Sequence, residues 1–155
     1  MPTKQILVVL SLLLLMSCAQ TGLYEKVDFL PQHEWPRSYT PEFSFDIADT
    51  AASYRIYFLL RHSDAYAYNN IWIRVQSLSP GDSSKQSTRF DIPLATEDRW
   101  LGSGMDDIFD HRVLLYPEPV RFSRKGPYTV TIQQDMRVER LKHVLNAGLR
   151  LEKVN

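Results

Sequence analysis

The stretch SYRIYFLLRHSDAYAYNNIWIRV, Ser53 to Val75, decides the fold class. Side chains of a strand alternate between two faces, so Tyr54, Ile56, Phe58 and Leu60 share one side and Arg55, Tyr57, Leu59 and Arg61 the other. A strand apolar on one face and half-apolar on the other belongs near the middle of a sheet. Ile71, Ile73 and Val75 form the next inward face. A single hairpin turning at Asn69-Asn70 would pair Tyr68 with Ile71 and Tyr66 with Ile73, favourable cross-strand neighbours. It would also need a fifteen-residue strand from Tyr54 to Tyr68, beyond the usual range of about 3–10. The spacing therefore predicts a strand ending near His62, a loop through Asn69, and a second strand from Ile71.

The same period of two continues outward. Phe43/Phe45/Ile47, Phe90/Ile92/Leu94, Tyr128/Val130/Ile132 and Leu145/Ala147/Leu149/Leu151 each alternate with more polar or smaller residues, with Pro80-Gly81 and Gly126-Pro127 as turn signals. With LYEKVDF (23–29) and RVLLY (112–116) this gives about eight short strands and no long helical pattern, so the expected fold is all-β. A single jelly-roll-like β-sandwich of antiparallel strands fits best. DMRVERLKHVL (135–145) has helical spacing at Val138, Leu141 and Leu145, but Glu139 falls one residue late for a capping box with Asp135. A turn or one short helix is expected there.

The N-terminus sets the compartment. Lys4 precedes Ile6 to Met16, eleven residues with only Ser11 polar, too short for a membrane-spanning helix, which needs about 20, but fitting a secretory signal peptide. Leu15-Met16-Ser17-Cys18 resembles the bacterial lipobox, and Cys18 is the only cysteine of the chain. Its thiol would carry a diacylglycerol and its freed amine a third chain, making a durable attachment to membrane lipid. The expected organisation is a cleaved leader over 1–17, lipidated Cys18 with a short tether over 18–22, and one β-sandwich domain over 23–155. Ala19 after the cysteine leans towards the outer membrane, facing the periplasm. Cleavage removes one lysine and no acid from 18 basic and 18 acidic side chains, and the resulting net charge of −1 argues against a nucleic-acid partner.

Chemistry-bearing candidates are few. His33, His62, His111 and His143 show no metal-ligand spacing, and no C-x-x-C occurs. Asp106, Asp107 and Asp110 lack the alternating spacing of a calcium loop, and Gly102 and Gly104 beside them are expected to supply turn conformations. No nucleophile–base set emerges, so no enzymatic activity, no cofactor and no metal are expected. Tyr66 and Tyr68 admit two readings: they stack on a sugar ring, or they fold back and cap the sandwich with their hydroxyls reaching water. Capping is the preferred one. The candidate interaction surface comprises Arg61, Tyr66, Tyr68, Trp72 and Trp100; a carbohydrate-binding module of the cell envelope is the alternative that these aromatics raise.

Three segments carry a family resemblance: LLRHSDAYAYNNIWIRV, RWLGSGMDDIFDHRVLL and IQQDMRVERLKHVLNAGLRLEK, behind the lipobox and a YEK-type strand. Together they resemble the GldH-type gliding-motility lipoproteins over essentially the whole chain. The resemblance implies a cell-envelope lipoprotein needed for gliding motility in Bacteroidetes-type bacteria and linked to the type IX secretion machinery, with other envelope motility or secretion proteins as partners. Only Cys18 maps to a functional position.

Overall fold

The computed structural model describes residues 22–154 and shows an all-β architecture of two packed antiparallel sheets. One sheet has the order β1 (Gly22–Phe29), β11 (Val144–Val154), β4 (Ser53–Ser63), β8 (Ile108–Leu114), β7 (Ser103–Met105). The other runs β3 (Glu42–Ile47), β9 (Gly126–Gln134), β5 (Asn70–Leu78), β6 (Gln86–Pro93). A ribbon of β2 (Glu34–Pro36) and β10 (Arg140–Lys142) completes the described strands.

The opening stretch behaves as its alternation requires. β4 lies between β11 and β8, with Phe58 opposite Leu149 on one side and Val113 on the other. It ends at Ser63 and β5 begins at Asn70, so the strand–loop–strand reading holds. Phe58 and Leu60 meet Phe43, Ile47, Ile73 and Ile132 of the facing sheet in one core. Each such side chain, fully buried, contributes roughly 1.5–3 kcal/mol.

Eleven strands replace the expected eight or so because three of three residues each, β2, β7 and β10, are too short to show a period. Residues 136–139 form bends rather than a helix. Their backbone groups find other partners: Met136 N donates to the Gln134 side-chain oxygen (2.9 Å), the Gln134 amide donates to Val138 O (3.1 Å), and Arg37 N donates to Glu139 O (2.8 Å). The segment then pairs with β2, setting Leu141 opposite Trp35, both fully buried. Gly22, expected in the tether, already opens β1.

Gly102 and Gly104 do not serve as left-handed turn residues; neither has a positive φ. A Cβ on Gly102 would stand 2.5 Å from Asp110 O, and one on Gly104 2.7 Å from the Phe109 ring, so their role is close approach. The turn between β7 and β8 is Asp106-Asp107, with Asp106 at φ 55°, a conformation aspartate tolerates.

The sandwich has two distinguishable ends. β1 starts where β11 finishes, β4 begins and β3 finishes, tied together by Lys153 Nζ on Asp49 (2.7 Å) and by the Tyr54 hydroxyl donating to Asp49 O (2.7 Å). This near end is the one from which the N-terminal segment departs. The far end carries the β2–β10 ribbon, the Tyr66 loop and Trp100.

Candidate interaction surface

The five expected surface residues do not converge. Tyr66 is buried, 4% exposed, and donates its hydroxyl to Asn70 O (3.0 Å) while its ring packs on His62 at 5.1 Å between centroids. It caps the far end. Tyr68 is exposed and sets its edge against Tyr66. Trp100 is half-buried and leans on His62 at 4.4 Å. Trp72 lies on the outer face of the four-stranded sheet with the Arg89 guanidinium 3.9 Å above its ring. Arg89 and Arg74 both reach Asp135, at 2.6 and 2.9 Å. Tyr68 and Trp72 border a shallow hollow of about 360 Å³ with Arg89, Asp135 and Arg137, but Arg89 covers the Trp72 ring. No flat aromatic platform results.

Arg61 belongs elsewhere, on the outer face of the five-stranded sheet, where sheet register builds a continuous surface. One row across the strands reads Val27, Gly148, Leu59, Arg112; the next reads Glu25, Arg150, Tyr57, Leu114; the row on the other side reads Phe29, Asn146, Arg61, Asp110. Val27 lies so close over Gly148 that a Cβ there would stand 2.7 Å from Val27 Cγ1 and 2.6 Å from Lys26 O. The glycine keeps the middle of the face low. The result is a hollow of about 780 Å³ floored by Val27, Leu59 and Leu114, with Phe29, Leu101 and Arg61 at its sides.

Its apolar groups are open to solvent: Phe29 is 69% exposed and Leu101 48%. Its charges, by contrast, are already matched. Arg61 makes two hydrogen bonds to Asp110, at 2.6 and 3.0 Å. Arg150 joins Glu25 and Glu152, Glu152 also pairs with Arg112, and the Arg112 guanidinium lies 4.5 Å over the Tyr57 ring. Burial pushes the Glu152 carboxyl up, yet the Arg150 and Arg112 guanidiniums hold it below the usual carboxylate range. An exposed apolar floor inside a self-neutralised ionic frame is suited to being covered by another surface.

Sequence reading located Arg61 and the half-apolar second face of β4 but attributed that face to central position alone. The signal that identifies the surface is the recurrence of apolar residues at outward positions across one sheet, Val27 and Phe29 on β1, Tyr57 and Leu59 on β4, Leu114 on β8, with Gly148 of β11 between them. Pairing register is needed to see that they meet. Among the described residues no three His, Cys, Asp or Glu side chains stand together as a metal site, and no helix is long and apolar enough to cross a membrane. Cys18 and the leader lie outside the described residues.

Fold and surface together define a small all-β module with an open apolar hollow on one sheet face. By sequence comparison the chain belongs to the GldH lipoprotein family, whose match covers residues 22–151, the whole sandwich except its last strand residues. It is 27% identical over 153 residues to the gliding motility lipoprotein GldH homolog of Christiangramia forsetii, covering 94% of this chain and 92% of that one. It is 28% identical over 154 residues to the gliding motility lipoprotein GldH of Flavobacterium johnsoniae, covering 94% of each.

Proposed function

We propose that this protein is a lipid-anchored, non-enzymatic component of a gliding-motility machine, linked to type IX secretion, that holds a partner envelope protein on the outer face of its five-stranded sheet. The observation that carries the proposal is the apolar hollow floored by Val27, half-buried Leu59 and Leu114, with exposed Phe29 at its side and satisfied ion pairs around it. The family membership and the names of its relatives supply the biological setting. Acylation of Cys18 supplies the anchor, on the periplasmic side of the outer membrane. A carbohydrate-binding role has less support, since Tyr66 is buried and the Trp72 ring is covered by Arg89.

The test is in-cell photocrosslinking from position 29 or 114, with position 85 on the near-end loop as reference, followed by spreading assays of Leu59→Asp. Position-specific adducts to one envelope protein, together with lost spreading at normal protein levels, are the expected result. Equal, diffuse labelling from all three positions would refute the docking face. Fractionation of Cys18→Ala, expected to leave the membrane, tests the anchor separately.

A further inference from the structure

The core is closed over most of its length, with Ile47 and Leu151 fully buried towards the near end as well, but it opens on one side there. Towards the far end Trp35, Ile71, Ile73, Ile132, Leu141 and Val144 are fully excluded from solvent. Towards the near end the sheets part around a cavity of about 380 Å³ with Phe45, Val75, Leu115, Tyr128, Val130 and Leu149 on its walls. The cross-strand pairs of β5 and β6 show how the sequence makes this opening. The inward positions read Ile71–Ile92, Ile73–Phe90, Val75–Thr88, Ser77–Gln86 from far end to near end. Large apolar pairs give way to small and polar ones, so the sandwich lacks the side chains that would close it. Ser77, Gln86, Thr88, Arg121 and Ser123 then form a polar mouth over an apolar interior. The opening has room for roughly a dozen groups of water size.

We propose that this cavity binds one acyl chain of a membrane phospholipid, with the lipid phosphate at the mouth beside Arg121. Apolar walls with a few polar groups at the entrance are the usual chemistry of a small-molecule site, and an acyl chain with a polar head matches both. The location agrees, and here the inference rests on the anchored reading of Cys18. The four residues from Cys18 to Gly22 span at most about 14 Å, which would keep the near end beside the bilayer. Tyr24 on β1 touches Phe45, at 5.5 Å between rings, and Phe45 lines the cavity.

Charge agrees as well. On the loops around the mouth Asp82 is held by Arg124 and Asp49 by Lys153, at 2.6 and 2.7 Å. Among the described residues Lys85, Arg121 and Lys125 make no salt bridge, nor do the acids Asp46 and Glu118 at this end; Arg121 is the one charged group on the lining itself, so an anionic headgroup is favoured. The protein's own acyl chains are the weaker candidate. Cys18 precedes β1, an edge strand of its sheet, whereas the mouth residues Ser77, Gln86 and Thr88 lie on β5 and β6 of the other.

The test places the full-length lipoprotein in phosphatidylethanolamine–phosphatidylglycerol vesicles containing a phospholipid with a photoreactive acyl tail. Adducts on peptides holding Val75, Leu115 or Val130 are expected. Thr88→Phe, which repeats the inward aromatic of Phe90 one pair nearer the mouth, should abolish them without lowering the unfolding midpoint; Val130→Phe is the second filling variant should the first fold poorly. Adducts confined to outer surfaces, or unchanged in both variants, would overturn the proposal. Adducts absent from the wild type but present in Cys18→Ala would assign the cavity to the protein's own anchor and also overturn it. Mass spectrometry of the N-terminal peptide reads acylation independently: an unmodified Cys18 would sink the anchored reading while leaving the labelling result to stand on its own.

Discussion

Acidification from about pH 7.5 to about pH 5 should destabilise this fold through two buried histidines, before the carboxylates begin to titrate. His62 on β4 and His111 on β8 are both buried, and their Nε2 atoms lie 2.9 Å apart. His62 Nδ1 donates to Ser63 O at 2.7 Å, so its Nε2 is the acceptor and His111 Nε2–H the donor. Tyr66, Trp100 and Phe109 surround the pair, and Asp110, already held by Arg61, is the charged group that acts on both. Burial, followed by repulsion from His62, pushes His111 down to about 4. Burial also lowers His62, against the opposing Ser63 carbonyl and Asp110.

A histidine depressed in the folded state leaves the unfolded chain holding more protons. Its contribution is therefore complete above the ordinary value near 6.5 and is lost as pH falls through it. The slope reaches about 1.4 kcal/mol per pH unit for each histidine, so His111 alone costs roughly 2 kcal/mol at pH 5 and His62 adds in the same direction. That is a large share of the 5–15 kcal/mol typical of a domain. Asp49, held down by its hydrogen bond from Lys153, begins to contribute only in the carboxylate range below. Urea titrations of the chain from residue 19 onward across this range measure the slope. His111→Gln, which keeps a donor for His62 and removes one titrating group, should flatten it. An unchanged slope in that variant, or a folded-state imidazole titration of His111 near 6.5 by NMR, would refute the reasoning.

Two further outcomes follow from particular contacts. Gly148→Ala must push its new methyl against Lys26 O and Val27, and overpacking of this kind costs about 1–3 kcal/mol; an unchanged urea midpoint would mean that the β1–β11 contact yields freely. Tyr66→Phe should lose about 1 kcal/mol with its hydrogen bond to Asn70 O, whereas Tyr68→Ala should stay within about 0.5 kcal/mol. Equal losses by thermal melting would place Tyr68 in the packed cap beside Tyr66.

What the sequence made legible depended on length and period. β4, β5, β9 and β11 each carry nine or more residues, enough alternation to place Phe58, Ile73, Ile132 and Leu149 in the core. The loop between β4 and β5 followed from a limit on strand length. β2, β7 and β10 carry no period and are held by tertiary contacts, such as Leu141 against Trp35. The same distinction explains the site. Capping, the preferred of the two readings of the loop tyrosines, holds for Tyr66, whose hydroxyl turns to Asn70 O rather than to water, while Tyr68 stays exposed. Whether Arg61 meets Val27 and Leu114 depends on register across four strands, and no local pattern encodes that. His62 and His111 stand forty-nine residues apart and meet only through the β4–β8 pairing.

If Cys18 anchors the chain as proposed, the position of the apolar face on the sheet would restrict what docks there. β1 starts at the near end and runs away from it, so a bilayer held there by Cys18 would have the sheet standing upright beside it. β4 and β11, eleven residues each, make that sheet roughly 35 Å tall at about 3.3 Å per residue. The floor of Val27, Leu59 and Leu114 lies partway up, facing along the membrane. On that placement the proposed partner would stand alongside the lipoprotein within a few tens of ångströms of the same surface, as an integral or likewise anchored envelope protein does. A freely diffusing partner would gain nothing from it. Lengthening the tether between Cys18 and Gly22 with a flexible Gly/Ser insert separates the two cases: it should weaken docking to a membrane-held partner, whose approach depends on shared height, and leave a diffusing partner unaffected.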